Sequence, residues 1–347
     1  MEGWPEHKTM ESWLKMRILL VGEYRCNMGP ANVNKKIIEH MPGEFSYIKF
    51  RWTGGLGKVL NLLELMIKLL ISQVVIVSVT SRIGYIAGKM CAFFKKKLVF
   101  IMHGCAAYEA EINTISGSRK GEKIEHYLME QAAVILPVSP KYGTWLRNRY
   151  AEYKDRIGVW SLGYDPVERV ESGEKRRGVI MTAGGNTPQK NNNQVSDAVA
   201  LLAGAARLEI YGKVNPAWVQ KNNEYTCWMG SVPNDVFLKR LSEADIFIVN
   251  STLESFSIAL MESLHCGCNI LVSSGVGALD LLEVEPTDII EDVNDVGELQ
   301  TKIQYLMNHP NHDRICAKLD WNEISNANAM KRLREICEET LCARQGK

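Results

Sequence analysis

Ile246-Phe247-Ile248-Val249-Asn250-Ser251-Thr252-Leu253-Glu254-Ser255-Phe256-Ser257-Ile258-Ala259-Leu260-Met261-Glu262 reads as an apolar strand, a polar turn and the opening of a helix. A near-continuous apolar run is what a strand buried on both faces needs, and such strands belong to parallel sheets. Glu254 falls in the turn beyond the strand's carboxyl end, where open α/β sheets bind their ligands. The helix is expected to begin near Ser257, and the unpaired N–H groups and positive dipole of that end favour a phosphate. Glu262 is expected about two turns inside the helix, and a carboxylate accepts both hydrogen bonds of a vicinal diol such as a ribose. One glutamate therefore suits a sugar and the other a nucleoside. Most glutamates are merely solvated, but the residues around this pair are too apolar for a solvated face.

The same alternation of strand and helix runs through the chain from Arg17 onward, the pattern of a parallel sheet covered by helices. Strands are predicted at Ile18–Val21, Ser46–Phe50, Val74–Val79, Leu98–Met102, Val134–Pro137 and Ile157–Trp160. The alternation then restarts with Val179–Ala183, Arg207–Tyr211, Thr226–Met229, Ile246–Val249 and Asn269–Ser273. Two doubly wound, Rossmann-like domains facing each other across a cleft explain this better than one large sheet, and 347 residues exceed what one core usually supports. The expected division is an appendage over 1–15, a first domain over 16–165, a charged linker over 166–178, a second domain over 179–320, and a closing segment over 321–347. The helical part of that last segment is expected from about Trp321 to Cys342, amphipathic and able to cross back onto the first domain.

With 46% hydrophobic and 23% charged residues the composition is that of a soluble globular protein. The net charge of +1 conceals an asymmetry: through Glu168 there are 23 Lys and Arg against 16 Asp and Glu, and afterwards 18 against 24. A basic first domain suits an anionic acceptor or an anionic membrane face. No span is expected, because the apolar stretch from Val59 to Val79 is interrupted by Asn61, Glu64, Lys68 and Gln73. The nine cysteines show neither zinc nor redox spacing, and with no secretory signal a reduced, cytoplasmic chain is the simplest expectation.

Further candidate contacts follow other predicted strands. Thr182-Ala183-Gly184-Gly185-Asn186-Thr187-Pro188-Gln189-Lys190-Asn191 offers glycines that let backbone approach a ligand and a lysine charge for a diphosphate. Gly22 to Asn32, with Gly29, is a strand–loop–helix turn that can face the cleft, and His103-Gly104 lies at another carboxyl edge. Ser231 and Val232, after Gly230, are the expected region for a nucleobase. Neither Gly275-Val276-Gly277 nor Gly54-Gly55-Leu56-Gly57-Lys58 completes a dinucleotide or P-loop fingerprint. No Asp-x-Asp pair follows a strand, so a metal-dependent sugar-nucleotide site has no support in the sequence.

Together these residues resemble glycosyltransferase family 4, the retaining transferases of GT-B fold. The most specific element is the Glu-seven-residues-Glu motif of Glu254 and Glu262, with Phe256 in its usual place. His103-Gly104, Val138-Ser139, Leu162-Gly163-Tyr164-Asp165, Gly184 to Lys190, Gly230 and Trp321 support it. The resemblance implies that Glu254 and His103 meet the donor sugar, Glu262 the ribose, and Lys190 the diphosphate together with the amides of Phe256, Ser257 and Ile258, with Ser255 alongside. It implies no metal and no cofactor beyond the nucleotide-diphosphate sugar, a glycan or lipid-linked acceptor, no nucleic acid, and a cytoplasmic enzyme with peripheral contact at the inner membrane face. The Gly-Gly and Lys-Asn form of the diphosphate loop leans toward the transferases that build bacterial surface polysaccharides such as capsule. Two departures stand out: Gly185 occupies the place of the family's usual arginine, and Gly29-Pro30 replaces paired glycines. An epimerase or hydrolase of the same fold, or a catalytically silent partner subunit, would share most of these features.

Overall fold

The computed structural model describes residues 16–26, 29–51, 54–113, 119–166 and 174–343. The expected appendage, the tip of the first loop at Asn27 and Met28, and most of the expected linker lie outside the described residues. The first sheet contains β1 (Ile18–Val21), β2 (Phe45–Tyr47), β3 (Val74–Ser78), β4 (Lys97–Met102) and β5 (Val134–Pro137), all parallel, in the order β2-β1-β3-β4-β5. Between them run the helices α1 (Gly29–His40), α2 (Gly54–Ile71), α3 (Arg82–Phe93), α4 (Ala106–Asn113) and α5 (Arg119–Gln131), and α6 (Pro140–Arg149) follows β5.

The second sheet is also parallel: β6 (Arg176–Ala183), β7 (Arg207–Tyr211), β8 (Thr226–Gly230), β9 (Ala244–Val249), β10 (Asn269–Ser273) and β11 (Ile289–Ile290), ordered β11-β10-β9-β6-β7-β8. Its helices are α7 (Asn192–Ala200), α8 (Asn234–Glu243), α9 (Ile258–His265), α10 (Val296–Asn308), α11 (His312–Cys316) and α12 (Asn326–Cys342). In each sheet the winding direction reverses at one place, between β1 and β3 and between β6 and β9, and such reversals open a crevice at the strands' carboxyl ends. The loops after β6 and β9 carry Gly184 to Lys190 and Glu254, so the strongest sequence candidates meet at the second reversal.

The central strands form as their composition requires. All residues of β1, β3 and β10 are buried, as double-sided coverage demands. Helix starts carry chemical signals: Ser81 accepts from the Gly84 N–H, Ser139 from Tyr142, Asp295 from Glu298 and Ser325 from Asn328.

Three expectations are corrected. The strand expected at Ile157–Trp160 shrinks to a single bridge between Ile157 and Ile135. Its apolar residues serve packing instead: Trp160 is buried and its indole N–H donates to the Ala329 carbonyl at 3.0 Å. Strand β6 begins at Arg176, inside the expected linker, and β11 was missed because two residues carry no periodicity. Glu262 stands one turn inside α9 rather than two, since the helix starts at Ile258.

Candidate active site

The loop after β6 is shaped by backbone that only glycine tolerates readily. Gly184 has φ +100° and a Cβ there would come within 2.6 Å of the Lys190 side chain, so the glycine lets the lysine fold back over the loop. Gly185, at φ +60°, packs against the Gly212–Lys213 backbone, where a Cβ would sit 2.0 Å from the Lys213 carbonyl oxygen. No side chain fits there, which explains structurally why no arginine stands at this position. Asn192 ties the loop down by donating to the carbonyls of Ala183 and Gly185.

Across the reversal, the Lys190 ammonium is ion-paired and hydrogen-bonded to the Glu254 carboxylate. Both side chains are largely shielded, so the pair is screened less than one at the surface. It borders a cavity of about 120 Å³ lined also by Thr182, Gly184, Asn250, Ser251, Ser257 and Ile258. The hydroxyl of Ser251 and the side-chain oxygen of Asn250 are buried there with no protein partner. Ser257 caps α9 in a left-handed conformation, φ +87°, that non-glycine residues adopt at an energetic cost. Its strain sits where the first amides of α9 face the cavity. Phe256 is buried, 2% exposed, borders neither cavity, and its carbonyl accepts from the Ala278 N–H.

Glu262 points elsewhere. It lines a separate cavity of about 330 Å³ with Lys35, Lys36, Tyr164, Asp165 and Asn234, and Ile258 borders both cavities. Burial raises the Glu262 carboxyl to about 7, opposed by the Asn234 amide, which donates to it at 3.4 Å. Ser231 and Val232 border neither cavity; their loop reaches Glu262 through Asn234, which the sequence reading missed. Gly29 opens α1 at the carboxyl edge of β1 with open space around its Cα.

Domain one closes over this site through backbone. The Ser255 hydroxyl donates to the His103 carbonyl at 2.5 Å, and the Ser139 hydroxyl donates to the Ser255 carbonyl at 2.8 Å. Ser255 is thus engaged in joining the domains. The His103 imidazole meets the Ser78 hydroxyl through Nε2 at 2.7 Å, and surrounding protein pushes it down to about 4, which keeps it neutral near pH 7. Gly104 leaves room for the Glu109 carboxylate, which a Cβ would approach to 2.3 Å. Glu109 titrates above the usual carboxylate range, first through desolvation and then through the charges of Glu125 and Glu254, with Lys190 opposing. It therefore senses the charges of the Lys190–Glu254 pair from the first domain. The sequence offered only a weak sign of it, an acid six positions after His103 in an alanine-rich helix.

No curated protein matches the chain in sequence. The family described as glycosyl transferases group 1 matches residues 166–319. Among solved structures, Anabaena Alr3699/HepE in complex with UDP and glucose superposes with a TM-score of 0.68 at 13% identity, covering 93% of this chain and 100% of that one. Sucrose-phosphate synthase from Thermosynechococcus elongatus gives 0.66 at 13%, over 94% and 100%. A glycosyltransferase from Rickettsia africae ESF-5 gives 0.65 at 16%, over 95% and 100%. At such identities the likeness establishes the fold, and the matched stretch contains Gly184, Lys190, Glu254 and Glu262. The chain thus has the two-sheet GT-B fold of these structures, and its residues 166–319 are similar to the glycosyl transferases group 1.

Proposed function

We propose that the protein is a retaining, metal-independent glycosyltransferase that takes its sugar from a nucleotide-diphosphate donor, with UDP the first nucleotide to test. The observation that carries this reading is the Lys190–Glu254 pair beside the start of α9, a cation and free amides at the reversal of a parallel sheet. The Lys190 ammonium and the amides of Phe256, Ser257 and Ile258 would stabilise the leaving diphosphate. Glu254 would hold the donor sugar and Glu262, in its own cavity, the ribose. UDP-glucose is bound by one structural neighbour, which favours uridine.

As the bond from the anomeric carbon to phosphate oxygen breaks, the acceptor oxygen bonds to the same face of that carbon, and its proton passes to the departing phosphate oxygen. His103, which is neutral, and Glu109, both in the facing domain, would position the sugar and the acceptor. The acceptor would be a glycan or a lipid-linked acceptor, and synthesis of cell-surface polysaccharide on the cytoplasmic side of a membrane fits both the donor chemistry and the basic first domain.

The test is a thermal-shift series with UDP, GDP, ADP, CMP and their sugars, with and without magnesium, on the parent and on Lys190→Ala. Selective stabilisation by one nucleotide, independent of magnesium and lost in the variant, is expected. Absence of stabilisation by every nucleotide would instead favour a silent partner subunit.

A further inference from the structure

Helix α2 is apolar on its outer face as well as at its core contacts. Its polar residues Asn61, Glu64 and Lys68 face the protein, where the Lys68 ammonium donates to Glu64 at 2.5 Å and to the Tyr47 carbonyl at 2.6 Å, and Glu64 accepts from the Lys49 N–H. Leu65 and Leu69 are buried in the core, but its other apolar residues face outward: Leu56, Val59, Leu62, Leu63, Met66, Ile67, Leu70 and Ile71 are all exposed, Leu56 to 75% and Ile67 to 59%. They recur at i, i+3, i+6, i+7, i+10, i+11, i+14 and i+15, one continuous stripe along an 18-residue helix. Solvent-facing apolar stripes of this extent mark a docking surface.

The surroundings decide what docks. Between Gly54 and Lys97 there are seven Lys or Arg and one acid, Glu64, which is turned inward with Lys68, leaving six cations outside that pair. On the neighbouring α3, Arg82, Ile86, Lys89 and Phe93 are exposed on one face, with Phe93 at 78%. Lys96 spans the end of α2, donating to the Leu70 and Ser72 carbonyls, and Lys95 beside it is exposed. A second copy meeting this face about a twofold axis would set these cations against themselves. An anionic lipid surface matches both the apolar stripe and its basic flanks. No helix among the described residues is long and apolar enough to cross a membrane, so α2 would lie in the interface plane.

We infer that α2 and the adjoining face of α3 form a docking surface for an anionic lipid bilayer. The inference deepens the reading of a lipid-linked acceptor: α2 starts at the carboxyl edge of the first sheet, so a bilayer on this face holds such an acceptor beside the cleft.

The test is sedimentation of the full chain with phosphatidylglycerol-rich vesicles and with pure phosphatidylcholine vesicles. The parent is expected to sediment with the first and not the second, and less at high salt. Leu63→Glu/Ile67→Glu, both exposed positions, should abolish binding, and Lys89→Glu/Lys95→Glu should lower it by roughly 10-fold or more. Equal behaviour with both vesicles, or undiminished binding by Leu63→Glu/Ile67→Glu, overturns the inference. So does a parent dimer that this double variant turns into monomers without any vesicle binding. Stabilisation by UDP, measured on the same samples, is a separate readout. Vesicle binding without nucleotide binding would remove the transferase reading and leave the surface standing.

Discussion

Glu254 and Glu262 share a motif but occupy different electrostatic settings. Glu254 is neutralised by Lys190, whereas Glu262 accepts from the Asn234 amide, forms no ion pair among the described residues, and is pushed up to about 7 by burial. A ribose diol donating to Glu262 favours its charged form and lowers that value, so nucleotide binding should release a proton near neutral pH. Affinity should then rise with pH up to about 7 and level off above it, which calorimetry in buffers of different ionisation enthalpy measures. The unliganded fold shows the opposite sign. Its carboxyl binds a proton more tightly than the unfolded chain's, so stability is lost as pH rises from 4.5 through about 7. Glu262→Gln should therefore be more stable than the parent at alkaline pH while binding nucleotide more weakly and without the pH dependence. Glu254→Ala should leave nucleotide binding nearly intact and depress transfer.

The start of α9 concentrates the site's demands in one element. Its cap residue Ser257 has φ +87°, and the preceding loop is pinned from the first domain by His103 and Ser139. The strain is held by these surrounding contacts. Replacement by the β-branched Ser257→Val should cost about 1–3 kcal/mol in urea denaturation, while Ser257→Gly, which tolerates this conformation, should change stability little. Comparable losses in both variants would show that the hydroxyl, and not the backbone angle, matters.

The two sheets are held together partly by α12, which returns from the second sheet to the first. Arg334 on α12 is fully buried and donates to the carbonyls of Pro42 at 2.7 Å and Met16 at 3.1 Å. Gly43, at φ +77°, leaves space for the guanidinium, and the Asn326 backbone and side chain meet Asp165. Arg334→Ala should cost about 3 kcal/mol, because it strands carbonyls in a dry interface, and thermal denaturation would report it. Nucleotide stabilisation should survive, since Arg334 borders neither cavity. Retention of full stability would mean that α12 is dispensable to the joint.

Much of this molecule was legible in one dimension, for definite physical reasons. Buried parallel strands must be apolar on both faces, so Ile18–Val21 and Asn269–Ser273 announced themselves. Phosphate sites need glycines, a cation and a helix start, so Gly184, Lys190 and Ser257 stood out before any coordinates. The short β11, the loss of the strand at Ile157–Trp160, and the role of Trp160 against Ala329 depend on partners distant in sequence, which no local period encodes. Glu109 and Asn234 became candidates only because folding brings Glu109 within the electrostatic reach of Glu254 and Asn234 to Glu262. The outward apolar face of α2 was equally invisible: its periodicity shows two faces, and only the contact of Lys68 with Tyr47 decides which of them turns to the core.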